Sequence, residues 1–260
     1  MLNIVILGRM ETATESHSQG EIILEFIEDG CKRIEYSNNE NIVFYLGNTG
    51  AGKSTTTQLI HGSLSNLESI EPESEEFLIK DLNDKISSSD SITSKTFVPD
   101  LLYANEKGVS YYDCPGFSDN RSPSHDIAAS YFIKKVLDPA KSVKFVLVVS
   151  YTSLRPGVNK DDFLKLIKNI VTMVKDVNKF EEGLALIVTK VDNVYNSKCI
   201  LQSDDIVKEK IVNFMKNVKK NLSSIIEGNT NMFKDYYPDA IRIIDIFLRK
   251  QGKFQFSIFY

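Results

Sequence analysis

A glycine-rich stretch in the first quarter of the chain has the residues of a phosphate-binding loop. It reads Gly47-Asn48-Thr49-Gly50-Ala51-Gly52-Lys53-Ser54, which matches G-x-x-x-x-G-K followed by Ser or Thr. The glycines let backbone N–H groups turn inward toward phosphate oxygens. The Lys53 ammonium suits the β- and γ-phosphates, the Ser54 hydroxyl suits the Mg²⁺ shell, and Thr55 adds a hydroxyl near the α-phosphate. The stretch predicts binding of a nucleoside triphosphate with Mg²⁺, without choosing the base or the reaction.

A second motif, Asp113-Cys114-Pro115-Gly116, follows an apolar run further along the chain. A carboxylate at the end of a buried strand can hold Mg²⁺ through a water molecule. Gly116 can present its backbone N–H to a γ-phosphate because no side chain obstructs the approach. The motif therefore predicts that Asp113 serves the metal and that Gly116 senses the γ-phosphate.

Phe117 follows this motif, at the position where Ras-like GTPases have the glutamine that orients the attacking water. An aromatic ring cannot orient water, so hydrolysis must recruit another group. The candidates are a threonine of a switch segment, a basic side chain from a partner, or the γ-phosphate itself. Without assistance we expect turnover on the order of 10⁻⁴ to 10⁻² per second.

A third motif, Thr189-Lys190-Val191-Asp192, could select the base. In this arrangement the carboxylate of Asp192 accepts hydrogen bonds from N1–H and the 2-amino group of guanine, while the lysine stem covers the ring. Adenine lacks both donors and would leave the carboxylate buried and unpaired. Such a loss makes a roughly hundredfold preference for guanine reasonable.

A threonine between the first two motifs should complete the metal shell and touch the γ-phosphate. The segment Ser91-Ile92-Thr93 lies before a short strand-like stretch at 96–98, which favours Thr93, with Thr96 as the alternative. Together with Lys53 and Gly116, Thr93 forms the predicted catalytic set. The predicted metal ligands are Ser54, Thr93 and Asp113.

The elements that must position these motifs follow from hydrophobic patterning. Short apolar runs typical of strands buried on both faces occur at Ile42–Leu46, Val109–Tyr112, Phe145–Ser150 and Leu184–Val188. Helical spacing fills the gaps, at Ser54–His61, Ile127–Leu137, Phe163–Val174 and Ile206–Leu222. The alternation predicts a three-layer α/β fold of the P-loop NTPase type, with a mostly parallel central sheet and helices on both faces. Ligands of such sheets bind beyond the carboxyl ends of the strands, where the motifs lie.

The flanking segments are less regular. Residues 1–40 are predicted to be an N-terminal extension and residues 41–260 the nucleotide-binding domain. In the extension, apolar residues at 22, 23, 26 and 27 predict one face of a helix ending at Asp29-Gly30, with a hairpin at that dipeptide as the alternative. The acidic, serine-rich segment Gly62–Ser94 is interpreted as a solvated loop, with a switch segment as the alternative.

At the C-terminal end, Ile241–Leu248 is predicted to be a strand. Phe254–Tyr260 is apolar and aromatic, so it must pack into the domain or continue in a longer protein. A further guanine-contact loop has no clear signature, and the neighbourhood of Asp245–Lys250 is a guess for it.

Composition narrows the class of protein. The 260 residues are 42% hydrophobic and 25% charged, with a formal net charge of −4. The sequence has no basic stripe of the kind that nucleic-acid-binding proteins carry, so we expect no nucleic-acid partner. Three widely spaced cysteines, Cys31, Cys114 and Cys199, favour a reducing compartment. Because no apolar run reaches the length of a membrane span, we expect a cytoplasmic protein, with membrane association not evident.

The motifs together resemble the translation-factor-related class of P-loop GTPases, and within it the group of AIG1 proteins, chloroplast import receptors and septins. The resemblance rests on residues 47–55, 91–93, 113–117 and 189–192, and it covers roughly residues 42–200. It implies GTP or GDP as ligand, Mg²⁺ as cofactor, and a homodimer or oligomer that pairs across the nucleotide face. The residue after the glycine of the second motif is typically hydrophobic in that group, as Phe117 is here.

Three functions compete on this basis. The leading one is a slow GTPase acting as a nucleotide-dependent switch or assembly module. The second is a GTP-binding scaffold that does not hydrolyse its ligand, for which Phe117 is the argument. The third is an ATP-using P-loop enzyme, in which the third motif would be accidental.

Overall fold

The computed structural model describes residues 18–61, 64–70, 78–82, 98–104, 108–117, 123–155, 160–174, 176–191, 203–228 and 235–250. Within these ranges the strands are β1 (Asn41–Leu46), β2 (Leu67–Ile70), β3 (Leu78–Asp81), β4 (Asp100–Ala104), β5 (Val109–Asp113), β6 (Ser142–Ser150) and β7 (Leu184–Thr189). The helices are α1 (Gln19–Arg33), α2 (Lys53–His61), α3 (Pro123–Leu137), α4 (Asp161–Met173), α5 (Asp204–Glu227) and α6 (Tyr237–Arg249). Short 3-10 helices lie at Leu64–Asn66, Tyr151–Leu154 and Val177–Gly183.

Five strands form the central sheet in the order β4-β5-β1-β6-β7. All neighbours pair in parallel except β4, which runs antiparallel to β5 at one edge. Consecutive residues of the central strands are buried, including Phe44–Leu46 in β1 and Leu147–Ser150 in β6. Successive side chains of a strand point to opposite faces, so both faces of the sheet are covered. The predicted fold class, an α/β fold of the P-loop NTPase type, is confirmed.

The strand register decides where the motifs meet. Tyr45 in β1 lies opposite Asp113 in β5, and Ser150 in β6 lies opposite Thr189 in β7. Since these pairs are parallel and close to the carboxyl ends of their strands, the segments that follow β1, β5 and β7 leave the same edge of the sheet. The four strands predicted from short apolar runs, at Ile42–Leu46, Val109–Tyr112, Phe145–Ser150 and Leu184–Val188, all exist with small changes at their ends. The same holds for the predicted helices at Ser54–His61, Ile127–Leu137, Phe163–Val174 and Ile206–Leu222.

The strand predicted at Ile241–Leu248 is wrong, because this segment belongs to α6. Its β-branched residues favour a strand locally, but the buried residues recur at helical spacing, with Ala240, Ile243, Ile244 and Phe247 facing the core. Pro238 in the first turn suits a helix start, because the missing N–H would have no partner there. Packing against the core outweighs the local preference.

The guess that Asp245–Lys250 forms a guanine-contact loop is also wrong. Asp245 accepts a hydrogen bond from Lys219 of α5 at 2.6 Å. Lys250 donates to the carbonyl of Leu184 at 3.2 Å, and Leu184 begins β7. The segment thus contacts the amino end of β7, whereas the motifs lie at the carboxyl ends of the strands.

The acidic segment between the first two motifs is not a loop throughout. β2 and β3 pair antiparallel as a separate two-stranded sheet, with Leu67 opposite Asp81 and Ile70 opposite Leu78. The interpretation as a solvated loop is therefore wrong for these two short strands. Residues 71–77 and 83–97 lie outside the described residues.

The N-terminal helix exists, but it ends later than predicted. Ser18 caps it, and the Glu21 side chain in turn accepts from the Ser18 backbone N–H at 2.7 Å. The helix continues past Gly30 to Arg33, because Gly30 is buried against the ring of Phe132 in α3 rather than ending the helix. A small cluster of Val98, Ala128 and Phe132 forms this contact. The division at residue 40 stays a prediction.

No helix within the described ranges combines the length and the apolar character needed to cross a bilayer.

Substitution of Gly30 tests this packing. A Cβ at Gly30 would lie 2.2 Å from Phe132 Cε2 and 2.9 Å from Val98 Cγ1, and both side chains are buried. We expect Gly30→Ala to lower the free energy of unfolding by about 1–3 kcal/mol in urea denaturation, despite the better helix propensity of alanine. Gly20→Ala in the same helix meets only Ser18 Oγ at 3.8 Å, so it should leave stability unchanged or raise it slightly. Equal effects of the two substitutions would contradict the packing of α1 on α3.

Candidate nucleotide-binding site

The glycine-rich loop joins β1 to α2, as the motif requires. Gly50 and Gly52 have φ angles of 77° and 85°, a region that residues with a Cβ rarely adopt. A Cβ at Gly47 would lie 2.3 Å from the carbonyl oxygen of Val148 in the neighbouring strand. Each of these glycines is therefore required by backbone geometry, and the loop passes close to the end of β6.

Lys53 is the first residue of α2, and only 7% of its surface is exposed. Its Nζ donates a hydrogen bond to the carbonyl of Asn48 at 3.0 Å, so the ammonium lies against the inside of the loop. Ser54 and Thr55 follow in the first turn, where helical N–H groups and the helix dipole favour an anion. A buried cation beside a helix N-terminus is suited to phosphate.

The segment Asp113–Phe117 is hydrogen-bonded through its backbone to the end of β1 and to the loop. Cys114 N–H donates to the Tyr45 carbonyl at 3.3 Å, and Phe117 N–H donates to the Gly47 carbonyl at 3.1 Å. Thr49 N–H donates in return to the Phe117 carbonyl at 3.3 Å. The pairing of β1 with β5 thus continues beyond both strands and brings the first two motifs into contact.

Gly116 has to be a glycine because of this contact. A Cβ at Gly116 would lie 2.4 Å from Thr49 Oγ1 and 2.8 Å from both Thr49 Cα and Thr49 N. The sequence predicted a glycine that leaves room for a phosphate, and the structure adds that Gly116 also leaves room for the loop itself. The backbone of Gly116 therefore lies directly beside the phosphate-binding loop.

Asp113 is buried next to the first turn of α2. Burial raises the pKa of its carboxyl to about 6, while the nearby Lys53 ammonium and a hydrogen bond from Ser54 act in the opposite direction and Asp100 raises it further. Asp113 Oδ1 is buried and has no hydrogen-bond partner. A buried carboxylate oxygen without a partner, beside a serine hydroxyl, fits a hard cation or a water bound to one.

A larger protein-only metal cluster is absent from the described ranges, where no three His, Cys, Asp or Glu residues come together as ligands. Mg²⁺ usually keeps several waters and takes few protein ligands together with phosphate oxygens. Ser54 and Asp113 are compatible with such a sparse site.

The Phe117 side chain is half-buried and packs against the main hydrophobic core. Its backbone forms an isolated bridge with Asn48. The ring thus serves packing, which agrees with the expectation that it cannot orient water.

The third motif meets the loop through Thr189. Its hydroxyl donates to the Ala51 carbonyl at 2.6 Å and lies 3.3 Å from the Val149 carbonyl. Lys190 follows with a φ of 51°, and among the described residues no other side-chain-bearing residue has a positive φ. Residues held in such strained conformations cluster at ligand sites.

Three predicted residues lie outside the described ranges, namely Thr93, its alternative Thr96, and Asp192. Their roles stay predictions.

One contact and two unpaired side-chain atoms of the loop were not foreseen from the sequence. Asn48 Nδ2 donates to the carbonyl of Asp162 in α4 at 2.8 Å, and this ties the loop to a third element. Asn48 Oδ1 and Thr49 Oγ1 are buried without hydrogen-bond partners. The motif pattern accepts any residue at both positions, so it carried no signal for either role.

No protein-family model matches the chain, and no curated protein matches it. A structure of Toc33 from Arabidopsis thaliana in complex with Mg²⁺ and GMPPNP has 15% identity and a TM-score of 0.46, covering 90% of this chain and 93% of that chain. A dimerization-deficient mutant of Toc33 has 16% identity and a TM-score of 0.47, covering 85% and 75%.

The signal recognition particle receptor SRb-GDP from Chaetomium thermophilum is a further similar structure. It has 11% identity and a TM-score of 0.34, covering 82% of this chain and 87% of that chain.

The raised pKa of Asp113 predicts how stability depends on pH in the protein without metal and nucleotide. The folded state keeps the Asp113 proton up to about pH 6, whereas the unfolded state releases it near the ordinary aspartate pKa of 3.8. Stability therefore falls as pH rises between these values, by up to roughly 3 kcal/mol. Asp113→Asn removes this dependence and should raise the free energy of unfolding at pH 8, measured in urea with EDTA.

Asp138→Asn is a matched control, because Asp138 is exposed and paired with Lys134 at 2.7 Å. We expect the control to follow the wild-type pH profile. Parallel profiles for Asp113→Asn and wild type would contradict the burial of an ionisable group at this position.

Proposed function

We propose that this protein binds GTP together with Mg²⁺ and hydrolyses it slowly to GDP and phosphate, acting as a nucleotide-dependent switch or assembly module. The observation that carries the proposal is the meeting of three motif segments at one edge of the sheet. Asp113–Phe117 pairs with the glycine-rich loop, and Thr189 bonds to the same loop. Three separate segments arranged around one loop favour a nucleotide site over an incidental glycine turn.

The phosphates would lie against the loop and the first turn of α2. The buried Lys53 ammonium would meet the β- and γ-phosphates, and the backbone N–H of Gly116 would meet the γ-phosphate. The positive φ angles of Gly50 and Gly52 support inward-turned N–H groups, which suit anion binding. Ser54 and Thr55 would add hydroxyls at the helix start.

The metal ligands in this proposal are Ser54, Thr93 and Asp113, with Asp113 acting through a water. The buried Asp113 Oδ1 without a partner supports the assignment. When bound, Mg²⁺ would neutralise charge that develops on the phosphate oxygens. Lys53 holds the neighbouring positive charge, and its position inside the loop orients the phosphates relative to Gly116.

Guanine selection would come from Thr189, Lys190 and Asp192. The hydroxyl of Thr189, the last residue of β7, donates a hydrogen bond to the loop. This bond would hold the base-binding turn at a fixed distance from the phosphates. The left-handed conformation of Lys190 supports a specialised turn at this point. Asp192 would pair with N1–H and the 2-amino group.

The packed ring of Phe117 favours slow hydrolysis, because no glutamine stands in its position. The same observation favours the second candidate, a GTP-binding scaffold without hydrolysis. Single-turnover phosphate release separates the two. An ATP-using enzyme is the remaining alternative, and base competition tests it.

We further propose a homodimer or oligomer formed across the nucleotide face, and a cytoplasmic location. The first rests on the resemblance carried by the motifs. The second rests on the sparse cysteines, of which Cys31 and Cys114 are free thiols.

Binding of fluorescent GDP and GTP analogues with Mg²⁺, in competition with unlabelled GTP, GDP and ATP, tests the central proposal. We expect GTP and GDP to compete at least about a hundredfold better than ATP in the wild type. Asp192→Asn should lose this preference because its amide cannot accept both guanine donors. Asp138→Asn, exposed and away from the motifs, should keep it.

If ATP competes as well as GTP, residues 189–192 do not select the base and the protein is an ATP-using enzyme. If no nucleotide binds, the proposal is wrong.

Nucleotide-dependent pairing has its own test. We expect light scattering after size exclusion to show a dimer mass with GMPPNP and a monomer mass with GDP. The reason is that the γ-phosphate, which GDP lacks, would contact Gly116 at the proposed interface. A monomer mass in both nucleotides would exclude pairing across this face.

A further inference from the structure

We propose that the hydroxyl of Thr49, in the glycine-rich loop, binds the water molecule that attacks the γ-phosphate. This inference rests on the proposed GTPase function and deepens it. It assigns to the loop the water-binding role that Phe117 cannot perform. Three observations lead to it: an unpaired buried hydroxyl, its position beside Gly116, and the placement of the Phe117 ring.

The first observation is that Thr49 Oγ1 is buried and has no hydrogen-bond partner. Burying a hydroxyl without a partner is unfavourable, and native proteins show few such groups. An unpaired threonine hydroxyl inside a ligand-binding loop is explained if a ligand or a water molecule forms the missing hydrogen bond. Asp113 Oδ1, in the segment paired with this loop, is in the same condition.

The second observation is where the hydroxyl lies. The backbone N–H of Thr49 already donates to the Phe117 carbonyl, so the hydroxyl is the donor of Thr49 that remains for a ligand. Thr49 Oγ1 lies next to Gly116, at 2.4 Å from the position that a Cβ there would take. Since Gly116 is the proposed γ-phosphate contact, the hydroxyl would lie beside the reacting phosphorus.

The third observation concerns the competing group. The Phe117 backbone is held by two hydrogen bonds to the loop, with Gly47 and Thr49 as partners, and its ring packs against the main core. The same backbone pairing places Thr49 directly against Gly116. One backbone arrangement therefore removes the usual water-orienting position and supplies another.

The reaction that Thr49 would serve is hydrolysis of GTP. The oxygen of the bound water forms a bond to the γ-phosphorus while the bond from that phosphorus to the β,γ-bridging oxygen breaks. The bridging oxygen keeps the electron pair and leaves as part of GDP. One water proton stays on inorganic phosphate and the other passes to solvent. Thr49 accepts a hydrogen bond from the water or donates one to it, and it orients the water without forming a covalent bond.

The test compares Thr49→Val, Thr49→Ser and the wild type in three measurements. Single-turnover phosphate release should fall about 10- to 100-fold in Thr49→Val and stay within about threefold of wild type in Thr49→Ser, which keeps the hydroxyl. Affinities for GDP and GMPPNP should stay within about twofold in both variants. Thr49→Val should also raise the melting temperature of the nucleotide-free protein by about 2–4 °C, because it removes an unpaired buried hydroxyl.

Thr172→Val is the matched control, because the Thr172 hydroxyl is exposed on α4 and bonded to the Lys168 carbonyl. It should change neither hydrolysis nor affinity. Wild-type hydrolysis in Thr49→Val would overturn the inference, and so would an equal loss in Thr49→Ser. Guanine-specific binding without hydrolysis in the wild type would also overturn it while leaving GTP binding intact. Absence of nucleotide binding would instead refute the proposed function.

Discussion

The parallel pairing of β1 with its two neighbours, β5 and β6, is the constraint on which the site depends. The β1–β5 pairing sets Tyr45 opposite Asp113, and the hydrogen bonds continue past both strands to Phe117. Because of this extension, the glycine-rich loop and the Asp113 segment form one backbone unit rather than two loops that happen to be near. Within this unit Thr49 leaves no space for a Cβ at Gly116, and the Val148 carbonyl of β6 leaves none at Gly47.

The polar groups of this unit are only partly satisfied by the protein. Lys53 and Thr189 find carbonyl partners in the loop, at Asn48 and Ala51. Asp113 Oδ1 and Thr49 Oγ1 are buried without partners. In other parts of a folded domain, buried polar groups without partners would only lower stability. In a ligand site, the bound ligand can supply the missing hydrogen bonds. The contrast between satisfied and unsatisfied groups separates residues that shape the loop from residues that face a ligand.

Helices away from the site show how tertiary packing outweighs local preference. Ile241–Leu248 has the composition of a strand, yet it forms α6, because its apolar residues cover the core at helical spacing. The dipeptide Asp29-Gly30 is typical of a helix end, yet α1 continues through Gly30. The Phe132 ring packs there and occupies the space that a side chain would fill. In both cases the deciding partner is distant in sequence, and no window of neighbouring residues contains it.

The sequence by itself determined the α/β class, the central strands and the place of the phosphate loop. These depend on hydrophobic periodicity and on glycine and lysine at set spacing, which are local properties. Only the tertiary structure decided that the Phe117 ring joins the core, that Thr189 braces the loop, and that the Thr49 hydroxyl is buried without a partner. The physical reason is that hydrogen-bond satisfaction and burial belong to pairs of groups brought together by the sheet, and a motif describes only one member of each pair.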